Sequence, residues 1–200
     1  MPVRKIPKNY LGVTGSFSSR KNDRMLGFES LLERDYMILL EFDEAVETFE
    51  EQPVKIPFKK GVKPYVPDIL INYASDAKAR QPVLAEIKHT SDLQKHKDKY
   101  APKFKVAKAY ANNREWKFRI VTEEEIRPLR LKNLKFLREY LHVEPEQRDI
   151  DRVIAALQDE DEPIPVDGLL DKLCQNDMER LLLTPSQCIA FLDILRRKID

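Results

Sequence analysis

Two hundred residues leave room for one full hydrophobic core and an appendage. With 42% apolar and 34% charged residues, the chain is neither a disordered polyelectrolyte nor a membrane protein, and no apolar run reaches bilayer-spanning length. The net charge of +1 hides an asymmetry: residues 144–200 carry 14 acidic and 7 basic side chains, so the excess of positive charge lies before them.

A basic front suits a phosphate backbone, where each Lys or Arg releases condensed counterions, and an acidic back suits a basic protein surface. Ordinary solvated faces are the plain alternative for both. The opening run MPVRKIPKNYLGVTGSF has no apolar stretch of the kind a secretion signal needs. Cys174 and Cys188 are too few and too far apart for a disulfide framework or a zinc cluster. A cytoplasmic protein with reduced core thiols is the expectation.

Residues 1–24 show no periodicity and carry Arg4, Lys5, Lys8, Arg20, Lys21 and Arg24 against Asp23, which predicts a basic N-terminal arm. A helix is expected over Phe28–Asp43, with Phe28, Leu31, Leu32, Tyr36, Leu39 and Phe42 on its apolar face and Ser30 or a neighbour as cap. Phe49–Phe58, punctuated by Pro53 and Pro57, predicts an edge strand or irregular segment. Lys59-Lys60-Gly61 turns the chain into a strand over Val66–Tyr73, and the polar turn 74–78 leads to a third strand, Val83–Lys88. Leu93–Asn112 is a basic helix with Tyr100, Phe104, Ala107, Tyr110 and Ala111 on its packing face, and Pro102 marks a break or its true start. Trp116–Val121 alternates like a strand, and Thr122 followed by Glu123, Glu124 and Glu125 reads as a helix N-terminus. The order helix–strand–strand–strand–helix–strand is that of an α/β core with a mixed sheet. After a linker at Val143–Arg148, short helices at Ile150–Leu157, Val166–Leu173 and Pro185–Arg197 predict a small, mainly helical C-terminal module. A winged-helix arrangement is one form it could take, although wing strands are not evident. The expected domains are thus the arm 1–24, a core 25–143 and a module 144–200.

The chemistry concentrates on two strands. Asp68 follows Pro67 in Tyr65-Val66-Pro67-Asp68-Ile69-Leu70-Ile71, and Glu86-Ile87-Lys88 ends the next strand. Side chains two apart on a strand share a face, so Glu86 and Lys88 point together and Ile87 points to the core. Two carboxylates, the Ile87 carbonyl and an ammonium form an oxygen-rich site for Mg²⁺, or Mn²⁺, beside a group that orients water or neutralises charge. This is equipment for cutting a phosphodiester. A fourth group is expected from the first helix, where Glu33 lies at the margin of the apolar face; geometry alone does not choose it over Glu29 or Asp35. Gln52 is a further polar candidate from the edge strand. Taken separately, Asp68 is also a common strand-start residue, and Glu86 with Lys88 a common cross-strand ion pair. His89 points to the opposite face, and His96 and His142 lack partners at ligand spacing. No phosphate-cradling glycine loop is present, which excludes the usual ATPase signature. Lys95, Lys97 and Lys99, with Arg20 and Lys21, are the expected DNA contacts.

The pattern resembles the restriction-endonuclease-like PD-(D/E)-x-K nucleases, and within them the TnsA family, endonuclease subunits of Tn-seven-type cut-and-paste transposases. The resemblance runs in order through Glu29–Tyr36, Leu39–Asp43, Phe49–Ile56, Tyr65–Asp68 and Glu86–Lys88. It implies a restriction-endonuclease-like fold and a catalytic set of Glu33, Asp68 and Lys88, with Glu33, Asp68, Glu86 and the Ile87 carbonyl around the metal; the family also tolerates Gln at the position of Glu86. It further implies cleavage of double-stranded DNA at the 5′ ends of a transposon, beside an integrase-like subunit, TnsB, that acts on the 3′ ends. An AAA+ regulator, TnsC, would be contacted by the C-terminal module, in a bacterial nucleoid-associated assembly. A nuclease of phage or restriction–repair context and a non-catalytic DNA-binding adaptor are the alternatives.

Overall fold

The computed structural model describes residues 13–58, 63–74, 80–138, 146–158, 166–176 and 178–179. The chain divides into two compact units, Met1–Leu134 and Lys135–Asp200. The division falls inside a helix, Leu129–Arg138, that the sequence pattern did not reveal. Of the expected linker at Val143–Arg148, residues 143–145 lie outside the described residues.

The first unit opens with an antiparallel hairpin, β1 (Gly15–Ser19) and β2 (Arg24–Phe28). Residues 15–24 therefore correct the expected arm. Phe17 and Leu26 face inward and are fully buried, so a basic composition conceals a hydrophobic pair. Two acids from later elements secure the hairpin. Glu41 accepts from the Ser19 hydroxyl and the Arg20 amide, both at 2.8 Å. Glu51 takes Arg24 in a two-pronged ion pair at 2.9 and 2.8 Å. Asp23, with φ 48, supplies the left-handed residue of the turn.

α1 (Leu31–Phe42) starts later than expected because Phe28 belongs to β2. Ser30 is its N-cap and accepts from the Glu33 amide at 3.1 Å. The buried face carries Leu32, Met37, Ile38, Leu40 and Phe42, whereas Leu31 is exposed. The helix thus sits rotated from the face that the spacing predicts, because Asp35 and Glu41 turn inward to meet Arg127 and the hairpin.

The four-stranded sheet has the order β3 (Val46–Glu51), β4 (Ile69–Tyr73), β5 (Val83–Ile87), β6 (Lys117–Val121). The β3–β4 and β4–β5 pairs are antiparallel and β5–β6 is parallel, so the sheet is mixed. β3 is an edge strand, and the chain beyond it is held by an Ile56–Tyr65 bridge. The crossover to β6 contains α2 (Thr90–Lys95) and α3 (Lys97–Asn112). The break lies at His96, while Pro102 is accommodated inside α3. Ala107 and Ala111 of α3 pack against Ile56, Tyr65, Leu70 and Leu84, with Val106, Tyr110, Trp116 and Phe118 around them. Small side chains on the helix let it approach the sheet closely. Thr122 stands at the N-cap of α4 (Glu123–Ile126), without a side-chain hydrogen bond. α5 (Leu129–Arg138) follows, with Leu131 and Leu134 buried.

In the second unit α6 (Gln147–Leu157) and α7 (Val166–Leu173) pack together. Val153, Leu157 and Cys174 are buried, and Arg152 donates to the Leu173 carbonyl at 3.2 Å. The expected helix at 185–197, Cys188, the turn 59–61 and His142 lie outside the described residues. Among the described residues no helix is long and apolar enough to cross a membrane.

Candidate active site

Three segments meet at one end of the sheet: the residues entering β4, the residues leaving β5, and the start of α1. β4 and β5 pair with Leu70 opposite Leu84. Alternation places Asp68 in the Leu70 row and Glu86 and Lys88 in the Leu84 row. The backbone fixes Asp68 from both sides. Its amide donates to the Ala85 carbonyl at 3.2 Å, and its carbonyl accepts from Gln52 at 2.8 Å. Gln52 is buried and adopts φ 46, a left-handed conformation uncommon outside glycine and disfavoured before proline. It therefore stands beside Asp68 at the end of β3, as a backbone clamp.

The Lys88 ammonium is the point on which the oxygens converge. It lies 3.1 Å from Asp68 Oδ2, 2.9 Å from Glu86 Oε1 and 2.8 Å from the Ile87 carbonyl. Asp68 Oδ2 also accepts from the Ile87 amide at 2.7 Å. Glu86 is only 4% exposed, and its second oxygen accepts from the Tyr65 hydroxyl at 2.6 Å. Sequence reasoning missed Tyr65. The available signal was an aromatic residue with a polar tip just ahead of Pro67-Asp68, on a segment that must run beside the acids.

Burial would lower the Lys88 pKa, but the Asp68 and Glu86 carboxylates outweigh it and hold the ammonium above its ordinary range. Lys88 is thus a charged donor at neutral pH. Burial, with the Asp68 charge next, pushes Glu86 up to about 7. The same two causes, in the same order, push Glu33 up to about 7.

Glu33 is the acid of α1 whose ionisation responds to Asp68 and Lys88. Its carboxylate accepts from the Glu29 amide at 2.8 Å and the Ser30 hydroxyl at 2.9 Å, which ties it to the helix start. Asp35 is committed elsewhere: it is buried and takes Arg127 at 3.0 Å and Arg34 at 3.3 Å.

The other expected residues are spread over the surface. His89 is half exposed, 3.6 Å from Glu123, and His96 lies 3.7 Å from Asp92. Lys95, Lys97 and Lys99 are exposed around the α2–α3 break. Arg20 is exposed, while the Lys21 ammonium donates to the carbonyls of Asp43 and Val46 and is thereby committed to the fold.

Among the described residues no three His, Cys, Asp or Glu side chains gather into a shell that could hold a metal by themselves. The convergent set is instead two carboxylates and a main-chain carbonyl around one cationic centre. That donor set fits a hard cation that completes its shell with water or phosphate oxygens, as Mg²⁺ does.

Residues 43–123 match the family model described as TnsA-like endonuclease N terminal. The matched segment contains Asp68, Glu86 and Lys88 and leaves out Glu33. No curated protein matches the chain. The four-stranded mixed sheet with its helices agrees with a restriction-endonuclease-like core. Residues 43–123 are therefore similar to the endonuclease domain of TnsA-like proteins, and the two strands that carry Asp68, Glu86 and Lys88 lie within that similarity.

Proposed function

We propose that the chain is a Mg²⁺-dependent DNA endonuclease that hydrolyses one strand at the 5′ ends of a transposon. The 3′ ends would be handled by an integrase-like transposase of the TnsB kind, and target recruitment by an AAA+ regulator of the TnsC kind. The carrying observation is the convergence of Asp68, Glu86 and the Ile87 carbonyl on the Lys88 ammonium, inside the segment that matches an endonuclease family.

Asp68, Glu86 and the Ile87 carbonyl would hold the Mg²⁺, and Mn²⁺ suits the same oxygens. A cation bound there supplies Lewis-acid polarisation of the phosphate and a more acidic water. Lys88, charged and half-buried, donates hydrogen bonds to the charge that develops on phosphorus-bound oxygen as the water attacks and the 3′ oxygen leaves. Glu33 borders this site from α1 and adds a third negative charge. The exposed Lys95, Lys97 and Lys99 would bind phosphates flanking the cut, and residues 144–200 would serve as the partner-binding module.

The alternative of a DNA-binding adaptor draws on one observation: the Lys88, Asp68 and Glu86 charges satisfy one another as a structural ion pair would. A reconstituted reaction separates the two. It contains the full chain, the integrase-like and AAA+ partners, and DNA with mapped transposon ends. Lys88→Ala should slow 5′-end nicking by about 10²–10³-fold, leave 3′-end joining intact and keep the complex assembled; EDTA should stop both cuts. Undiminished 5′ nicking by Lys88→Ala would sink the nuclease assignment.

A further inference from the structure

Tyr65 is placed by two structures at once. Its backbone bridges Ile56 beyond the edge strand, and its ring is packed into the cluster beneath α3 with Leu70, Leu84, Ala107 and Ala111. Lys103 of α3 lies over the ring face, 5.9 Å from its centre. From this fixed seat the hydroxyl donates to Glu86 Oε2 at 2.6 Å, while Glu86 Oε1 faces the Lys88 ammonium at 2.9 Å. A glutamate has three rotatable bonds, and one oxygen tethered to a rigid phenol removes most of that freedom.

We infer that Tyr65 is a positioning residue for cation binding: it locks the Glu86 carboxylate with one oxygen presented to the site. This rests on the endonuclease reading above and names a residue that the convergent donor set does not itself include. A phenol keeps its proton at neutral pH, so the Tyr65 hydroxyl stays a donor to the carboxylate. Hydrogen-bond partners of metal-binding side chains govern affinity by about 10–100-fold when removed.

The test is Ca²⁺ titration of the full chain by calorimetry, using Tyr65→Phe, which keeps the ring and deletes the hydroxyl, with Glu86→Gln and the double variant. The expected result is Ca²⁺ binding weakened about tenfold or more in Tyr65→Phe. The double variant should lose little beyond Glu86→Gln alone, because the hydroxyl then has no carboxylate to hold. Mn²⁺-supported nicking by Tyr65→Phe should recover at raised Mn²⁺, which a purely structural role does not predict. Wild-type-like Ca²⁺ affinity in Tyr65→Phe, alongside loss in Glu86→Gln, would overturn the positioning role and leave the nuclease reading standing. Absence of divalent-cation binding by the wild-type chain would remove both. Thermal unfolding of each variant identifies a Tyr65→Phe chain that has lost its fold, and Tyr65→Met, which fills the cluster without a donor, then takes its place with the same expectations.

Discussion

Lys88 Nζ and Asp68 Oδ2 stand 3.1 Å apart, joined across two antiparallel strands by residues 20 positions apart in sequence. The two residues have separable duties. Asp68 gathers the cation, whereas Lys88, as a second positive centre, acts on the substrate. Asp68→Asn should therefore weaken Ca²⁺ binding by at least about tenfold, since even outer-shell changes cost that much. Lys88→Ala should retain Ca²⁺ binding while slowing strand cleavage by about 10²–10³-fold, the usual loss for one donor to developing negative charge. Calorimetry and single-turnover nicking provide the two readouts. Equal loss of Ca²⁺ binding in both variants would contradict the division of labour.

Glu33 and Asp35, both on α1, make opposite predictions. Glu33→Gln keeps one oxygen to accept from the Glu29 amide and gains an amide NH₂ that can donate to the Ser30 hydroxyl, while the Ser30 cap on the backbone amide of residue 33 is untouched, so stability changes by less than about 1 kcal/mol. Its nicking rate should fall at least about tenfold if the carboxylate charge serves the site. Asp35→Asn instead deprives Arg127 and Arg34 of a buried anion and should cost about 1–3 kcal/mol. The nicking rate per folded molecule should stay near wild type. Denaturant melts and rates corrected for folded fraction check both, and a rate collapse in folded Asp35→Asn would move the site toward Arg127.

Much of this site is legible in the residues because strand alternation is a strong local rule. Glu86 and Lys88 share a face whatever surrounds them, and a short turn between two strands brings Asp68 alongside. What escapes the sequence depends on partners far along the chain. The β1–β2 hairpin is held by Glu41 and Glu51, which no local pattern connects to Ser19 or Arg24. The Tyr65–Glu86 bond requires both the Ile56–Tyr65 bridge and the packing of α3. The inward face of α1 is displaced because two acids are buried against distant donors, which defeats a count of apolar spacing alone. The helix break at His96 rather than Pro102 shows the same limit, since a proline near a helix start is compatible with either reading.

Stability should depend on pH through the crowded carboxylates. Glu86 and Glu33 have folded-state pKa values raised to about 7 by burial and then by Asp68. Between the ordinary carboxylate range and that value, the folded chain holds protons that the unfolded chain has released. This stabilisation is complete below the unfolded pKa and is lost as pH rises through the folded one. The metal-free protein should therefore lose thermal stability from about pH 4.5 to 7.5, and Glu86→Gln should show a shallower fall. Added Ca²⁺ should raise the midpoint more at pH 8 than at pH 5.5, because a cation competes with protons for the same oxygens. Parallel melting profiles for wild type and Glu86→Gln would show that Glu86 titrates normally.

The lysines at the α2–α3 break give a prediction independent of the chemistry. Lys95, Lys97 and Lys99 are exposed, so changing all three to Gln should alter folding stability by less than about 1 kcal/mol. Their proposed role is contact with the phosphate backbone, whose energy comes largely from released counterions and is insensitive to base sequence. Affinity for unrelated duplexes should fall to a similar degree. The slope of log affinity against log salt should decrease by about one for each lysine that meets a phosphate. Fluorescence anisotropy across a salt series measures this directly. A triple variant with an unchanged slope would place the DNA track elsewhere on the domain, even if nicking at the Asp68–Lys88 site were lost.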